Sequence, residues 1–228
     1  MMSITRAEAE RVVSETGWLS LQPADFRAEV LRRCVVQHFA AGEIIYHFGG
    51  PLGGIYGVVT GIMSVDSSPG HATPILMHIG IPGMWTGEGC FFTRQPRRIE
   101  LRAVVDTCMM HLPLEAMDQM AARDPNIVRN FAQILMINVD TLLRIVHDLQ
   151  QRDASRRIAA VLWRISPGAT PVPLSQAELG TMANASRKQV NAALQRFEGK
   201  GWVENSYRSI VVRNVAELRS FAAGEEKS

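Results

Sequence analysis

The chain has 228 residues, 46% of them apolar and 20% charged, and a formal net charge of +2. That length suits two small domains, and the apolar share is enough to bury a core, which excludes a disordered chain. No run approaches the roughly 18 apolar residues of a membrane helix. The start, Met1-Met2-Ser3-Ile4-Thr5-Arg6, has no segment of signal-peptide length, and Cys34, Cys90 and Cys108 are scattered without a C-x-x-C pair, so neither a disulfide framework nor a zinc knuckle is indicated. The chain reads as cytoplasmic, with no membrane partner.

In chain order, a helix is expected near residues 23–33. Short β-branched and aromatic runs follow at 44–46, 55–59, 62–65, 75–79 and 101–105. Between them lie Gly42, Gly49-Gly50-Pro51, Gly53-Gly54, Gly61, Pro69-Gly70 and Pro82-Gly83. Close spacing with Gly/Pro turns predicts an antiparallel barrel, sandwich or roll. At Asp124-Pro125 the texture changes, because Asp before Pro reads as an N-cap with proline at the first helical position. No Gly or Pro interrupts the chain from there to about Gln151. Val128, Ala132, Leu135, Val139, Leu142, Val146 and Leu149 alternate at spacings of four and three, the pattern of a coiled-coil seam. Ile127, Phe131, Ile134 and Ile145 form a second flank. One flank can cover the β domain while the seam meets a second copy, which predicts a parallel homodimer. The plainer alternative is one amphipathic helix packed on its own barrel.

After Asp153 the pattern is helical through Ile165, and Pro167-Gly168, Pro171 and Pro173 make a loop. Two capping boxes then follow closely, Ser175-Gln176-Ala177-Glu178 and Ser186-Arg187-Lys188-Gln189. Met182-Ala183-Asn184-Ala185 between them suits the turn of a helix-turn-helix. Residues 202–204 and 209–212 flank a polar turn and predict a β-hairpin wing, and Asn214 caps a last helix. From Asp153 to Arg219 ten cations stand against five anions, the local basic excess expected of a nucleic-acid binder. A recognition helix presents its first residues to the major groove. Arg187 there can donate bidentately to guanine O6 and N7, with Lys188, Gln189 and Asn191 as the other polar groups within reach. Ser175 and Ser186, besides capping, can donate to phosphates; Arg208 and Tyr207 in the wing would contact backbone, which positions without specifying. The partner these residues point to is double-stranded DNA.

The order of Gly-punctuated roll, heptad helix and winged helix-turn-helix resembles the CRP/FNR family of bacterial transcription regulators. Phe39-x-x-Gly42-Glu43-x-Ile45 with Gly61 is similar to the opening of that family's cyclic-nucleotide-binding-like roll. Pro82-Gly83-x-x-x-Gly87-Glu88 is similar to its effector-pocket entry, and Asp153-Ala154-x-Arg156-Arg157-Ile158-Ala159 to its hinge. The resemblance implies a regulator, not an enzyme, with an α+β fold: an antiparallel, jelly-roll-like β-roll sensor domain with N-terminal helices (1–123), a coiled-coil dimerisation helix (124–152) and a C-terminal winged helix-turn-helix (153–228). It implies a pseudo-palindromic site and RNA polymerase as a further partner.

The effector pocket departs from the cyclic-AMP-binding members. Gly87 and Glu88 match, and Arg97 falls where the phosphate-holding arginine would be. Arg98 replaces the small hydroxyl residue after it, the intervening loop is about one residue short, and Leu142 and Leu143 stand where the base would meet hydroxyl side chains. A buried apolar pair leaves the base's polar edge unpaired, at roughly 1–3 kcal/mol per group, so cyclic AMP is disfavoured and no cofactor is assigned. Arg97 and Arg98 together holding another anion, an unliganded roll, and a redox or haem sensor all stay open. Cys90, just beyond Glu88, is the candidate redox residue. His47, His71, His78 and His111 lie in the β half, but none has the tight spacing of a metal-dependent enzyme, and no metal site is assigned.

Overall fold

The computed structural model describes residues 4–67, 73–166, 170–206 and 208–225. By its internal contacts the chain divides into two compact units, Met1–Pro74 with Ile79–Thr141, and Ile75–His78 with Leu142–Ser228.

The first unit opens with α1 (Arg6–Glu15), α2 (Gly17–Ser20) and α3 (Ala24–Arg33). The strands are β1 (Val35–Phe39), β2 (Ile44–Tyr46), β3 (Ile55–Thr60), β4 (Met63–Ser67), β5 (Ile75–Gly80, of which Ile75–His78 group with the second unit), β6 (Trp85–Thr86), β7 (Glu100–Ala103) and β8 (Thr107–Leu112). A short helix α4 (Gly89–Thr93) interrupts them, and α5 (Leu114–Arg123) closes the set. The strands form two four-stranded sheets, ordered β1-β8-β3-β6 and β2-β7-β4-β5, and every pairing whose register is known is antiparallel. Period-two alternation decides the cores. Val58 and Met109 point between the sheets to meet Met63, Val65 and Leu101. Their neighbours Ile55, Val59, Cys108, Met110 and Leu112 point the other way, into a second core made with Ala9, Val13, Trp18, Phe26 and Val30 from the helices. The expected roll is present. Two strands not expected from the sequence, β1 and β8, pair with each other from Val35↔His111 to Phe39↔Thr107.

The long helix α6 (Val128–Gln150) does not start at Pro125 as expected. Asp124 caps a 3-10 turn, Pro125–Ile127, by accepting from Asn126 N at 3.0 Å. Phe131 and Ile134 are buried in the helix-side core, with Trp18 stacked on Phe131. Trp18 Nε1 donates to Asn130 O at 2.8 Å, and Gln22 exchanges amide bonds of 2.8 Å with Asn130 and Gln133. Val128 packs on the same core, so it belongs to the roll, and the open part of the predicted seam begins at Leu135. Leu142, Leu143 and Val146 are 51%, 61% and 54% exposed, and Leu135 and Leu149 are also open to solvent.

The second unit carries α7 (Ala154–Arg164), α8 (Gln176–Met182), α9 (Arg187–Gly199), the hairpin β9 (Val203–Ser206) and β10 (Ser209–Val212), and α10 (Val215–Ala223). Ile158, Leu162, Leu179, Val190, Leu194, Phe197, Ile210 and Leu218 are buried. Phe197, Trp202 and Phe221 form an aromatic cluster beneath α9. No helix among the described residues is long and apolar enough to cross a membrane.

Candidate nucleic-acid interface and effector pocket

Both expected capping boxes close. Ser175 Oγ accepts from Glu178 N at 3.2 Å while Ser175 N donates to the Glu178 carboxylate at 2.7 Å. Ser186 Oγ accepts from Gln189 N at 3.3 Å, and Gln189 Oε1 accepts from Ser186 N at 2.9 Å and from Ser186 Oγ at 3.0 Å. These caps separate α8 from α9 at a sharp turn, where Asn184 takes a left-handed φ of 45° and Ala185 N donates to Gly180 O at 2.9 Å. Val190, Ala193, Leu194 and Phe197 fix which face of α9 is inside. The other face leaves Arg187, Lys188, Gln189 and Asn191 exposed together. The first turn of α9 holds no acidic residue, so two cations stand at the positive end of a helix dipole with no anion in that turn. An external polyanion relieves that arrangement.

The structure revises parts of the expected DNA surface. The Gln189 carbonyl is committed to its cap, leaving only the amide NH2 to reach a base. Ser175 is half-buried and Ser186 exposed. Arg208 is exposed in the two-residue turn after Ser206, at φ 54°, the left-handed backbone such hairpin turns demand; Tyr207 lies outside the described residues. The basic excess is also narrower than its sum. Arg213 donates twice to Glu204, at 2.8 and 2.7 Å, Arg164 is paired with Asp148, and Arg157 is spent on main-chain carbonyls.

In the first unit, Gly87, Glu88 and Arg97 do converge. Arg97 is only 5% exposed. Its Nη1 donates to Gly87 O at 3.0 Å and its Nη2 to Gly54 O at 2.9 Å, with the guanidinium 4.1 Å from the Tyr46 ring centroid. Gly87 sits at φ 103°, and a Cβ there would come within 2.7 Å of Arg97 Nη1, so glycine is required for the guanidinium to lie on the backbone. Glu88 is buried and accepts from Asn138 Nδ2 at 3.0 Å. Burial holds its carboxyl above the usual carboxylate range, against the pull of the Asn138 hydrogen bond. Arg97 Nε and Tyr46 Oη are buried without partners. Arg98, adjacent in sequence, does not join Arg97: it is exposed and donates to Gln95.

A family model for the Crp-like helix-turn-helix domain matches residues 156–221, and one for the cyclic nucleotide-binding domain matches residues 36–124, together more than half of the chain. The chain belongs to the CRP/FNR family of transcription regulators. It is similar to a CRP-like cAMP-activated global transcriptional regulator of Mycobacterium tuberculosis, 23% identical over 189 residues, covering 79% of this chain and 84% of that one. Its fold is like that of FixK2 from Bradyrhizobium japonicum (TM-score 0.68, 20% identity, 82% of this chain and 96% of the other). It is also like that of a Ruegeria pomeroyi protein (TM-score 0.72, 16% identity, 96% and 99%). A member of this family is a DNA-binding regulator and not an enzyme.

Against the family's nucleotide, the donor set here fits poorly. The two ends of the Arg97 fork already meet carbonyls, and the residue beside it offers an exposed cation where a small hydroxyl is wanted. Leu142 and Leu143, expected as apolar pocket residues, are exposed. Cys90 is buried in α4, and Cys34 and Cys108 are buried too. Burial pushes the Cys34 thiol up to about 12. No cluster of metal-ligating side chains occurs among the described residues; His47 is exposed beside Glu100, His111 stacks on Tyr56, and His71 lies outside the described residues. Tyr46, expected only within a strand, Arg157, expected only within the hinge motif, and Asn138 had no site role in the sequence. Asn138 had a signal, as an amide between the apolar stretch Ile134-Leu135-Met136-Ile137 and Val139, and Arg157 had one in the hinge motif; Tyr46 had none beyond its strand.

Proposed function

We propose that this regulator reads DNA as a parallel homodimer on a pseudo-palindromic site. In this reading residues 1–123 are the sensor, 124–152 the dimerisation helix and 153–228 the DNA-reading part. The carrying observation is the exposed Arg187-Lys188 pair on the first turn of a helix whose opposite face is buried. Arg187 donates to a guanine and sets specificity at that base pair. Lys188, Asn191 and the Gln189 amide line the same groove. Ser175, Ser186 and Arg208 contact phosphates.

The open stripe Leu135, Val139, Leu142, Val146 and Leu149 is the seam between copies, spaced as a coiled coil requires and apolar where a lone surface helix would be polar. The two reading helices are thereby held about one DNA turn apart. The roll works without cyclic AMP. Arg97 is engaged by Gly54 and Gly87, so a cyclic phosphate would have to compete with carbonyls already in place, and Arg98 adds no hydroxyl. The unpartnered Arg97 Nε and Tyr46 Oη are the groups that a different small anion would use. RNA polymerase is the protein partner and the cytoplasm the compartment. Two observations favour a second reading, cyclic-AMP dependence: Glu88 is retained, and the Mycobacterium tuberculosis relative is named as cAMP-activated.

The test is selection of bound duplexes from a random pool at fixed salt, with and without cyclic AMP. A palindromic motif enriched equally in both arms is expected. Enrichment only with the nucleotide would establish the second reading, and a motif without twofold symmetry would remove the dimer.

A further inference from the structure

The long helix α6 ends at Gln150, and its last carbonyls lack intrahelical donors, as at every helix C-terminus. The same holds for the end of α8 at Met182–Ala183. Both ends therefore carry partial negative charge. One side chain faces both. Arg157, in the first turn of α7, reaches back toward its own N-terminus, the direction in which helical side chains lean. Its Nη1 donates to Gln151 O at 2.7 Å and Arg152 O at 3.2 Å, just past α6. Its Nε donates to Ala183 O and its Nη2 to Asn184 O, both at 2.8 Å, in the turn of the helix-turn-helix. Seven residues along the same helix, Arg164 is buried and paired with Asp148 in the last turn of α6. The helix that follows the dimerisation helix is thus fastened to it at two points, and the first of these also holds the turn that aims α9.

We propose that Arg157 is a positioning residue for DNA reading. It ties the end of the dimerisation helix to the helix-turn-helix turn, and so fixes the spacing between the two reading helices of the dimer. The inference rests on the dimeric, palindrome-reading function proposed above. The chemistry explains why an arginine is needed. Four carbonyls on two segments call for a planar, permanently charged group with donors on several edges. An ammonium concentrates its donors at one point, and a glutamine amide has two donors and no charge. With the fork gone, α6 and the turn keep their own backbone, and α7 keeps its Arg164–Asp148 pair with α6, but the direct link between the end of α6 and the turn is lost.

The experiment uses the full chain and a set of duplexes in which two copies of the selected half-site are separated by the selected spacing, or by one or two base pairs more or fewer. Each added base pair moves the second half-site by about 3.4 Å and rotates it by about a tenth of a turn. Wild type is expected to discriminate the best spacing from its neighbours by about tenfold or more, on the basis that half-site separation is geometrically fixed. Arg157→Gln should flatten that preference to about threefold or less, and Arg157→Lys should fall between. Arg156→Gln, a cation removed from the adjacent position, should keep the wild-type profile. Circular dichroism and an unfolding curve accompany each variant.

A sharp wild-type preference retained in both Arg157 variants would overturn the inference. So would equal weakening at all spacings, because that is the signature of Arg157 serving stability alone. A wild type that needs no second half-site would overturn the dimeric reading, and the inference with it.

Discussion

Truncating Leu142 to alanine tests the dimer seam with a predictable magnitude. Leu142 is 51% exposed on the long helix. Full burial of a leucine side chain is worth about 1.5–3 kcal/mol, so the half still open has about 1 kcal/mol to gain by meeting a partner. A twofold interface counts the residue once in each copy, which makes Leu142→Ala cost the dimer about 1.5–2 kcal/mol in total. That raises the dimer dissociation constant about 10- to 30-fold. The helix itself is not weakened, because alanine is the better helix former. Sedimentation equilibrium over a range of loading concentrations measures the shift. Leu21 is the control, being 70% exposed but outside the helix, and Leu21→Ala should leave association unchanged. Equal constants for wild type and Leu142→Ala, or an equal effect of Leu21→Ala, would refute the seam.

Three other perturbations give distinct results. Arg187→Ala should weaken binding to the selected duplex by about 1–3 kcal/mol and relax selection at one base pair; uniform loss over all duplexes would make Arg187 a phosphate contact instead. Arg208→Gly should do the reverse: it relieves a left-handed backbone that costs a side chain about 1 kcal/mol, raising the thermal midpoint, while weakening DNA binding without changing the selected motif. Acid should destabilise the fold through His78, whose pKa is lowered to about 4, first by burial and then by the neighbouring Arg164 cation. The unfolded chain takes up this proton near 6.5 and the folded chain refuses it until about 4, so stability present above 6.5 is lost as the pH falls between those values, by up to about 3 kcal/mol. His111 is shifted in the same direction by its own burial, so His78→Gln should flatten the urea-midpoint profile in that window without abolishing the slope. An identical slope in the variant would contradict the assignment to His78.

What could be read from the sequence was local. The two capping boxes and the Asn214 cap are each decided within about four residues, and each closed as expected, while the turns expected at Pro69-Gly70 and Pro167-Gly168 lie outside the described residues. Of the two strands not expected, β1 does carry β-branched and aromatic residues, Val35, Val36 and Phe39, whereas β8 carries little such signal. Thr107-Cys108-Met109-Met110 is methionine-rich, and the alternation that sorts Met109 from Met110 acquires meaning only once both sides are covered. Arg97 and Arg98 make the same point for the pocket. Adjacent and chemically identical, they end up buried and exposed, because the carbonyls that accept from Arg97 belong to Gly54 and Gly87, the former 43 residues away. Arg157 likewise depends on carbonyls 26 and 27 residues downstream. The heptad pattern overreached at Val128, which the roll core claims, since spacing marks an apolar stripe but not what covers each part of it.

The most direct test of the account compares the affinity of the full chain for the selected palindrome with its affinity for the same duplex carrying one scrambled half-site, each with and without cyclic AMP at fixed salt. Scrambling is expected to weaken binding by at least about tenfold, given about 1–3 kcal/mol for each mismatched base pair, and the curves with and without nucleotide are expected to superimpose. Equal affinity for both duplexes, or tightening by cyclic AMP, would contradict this expectation.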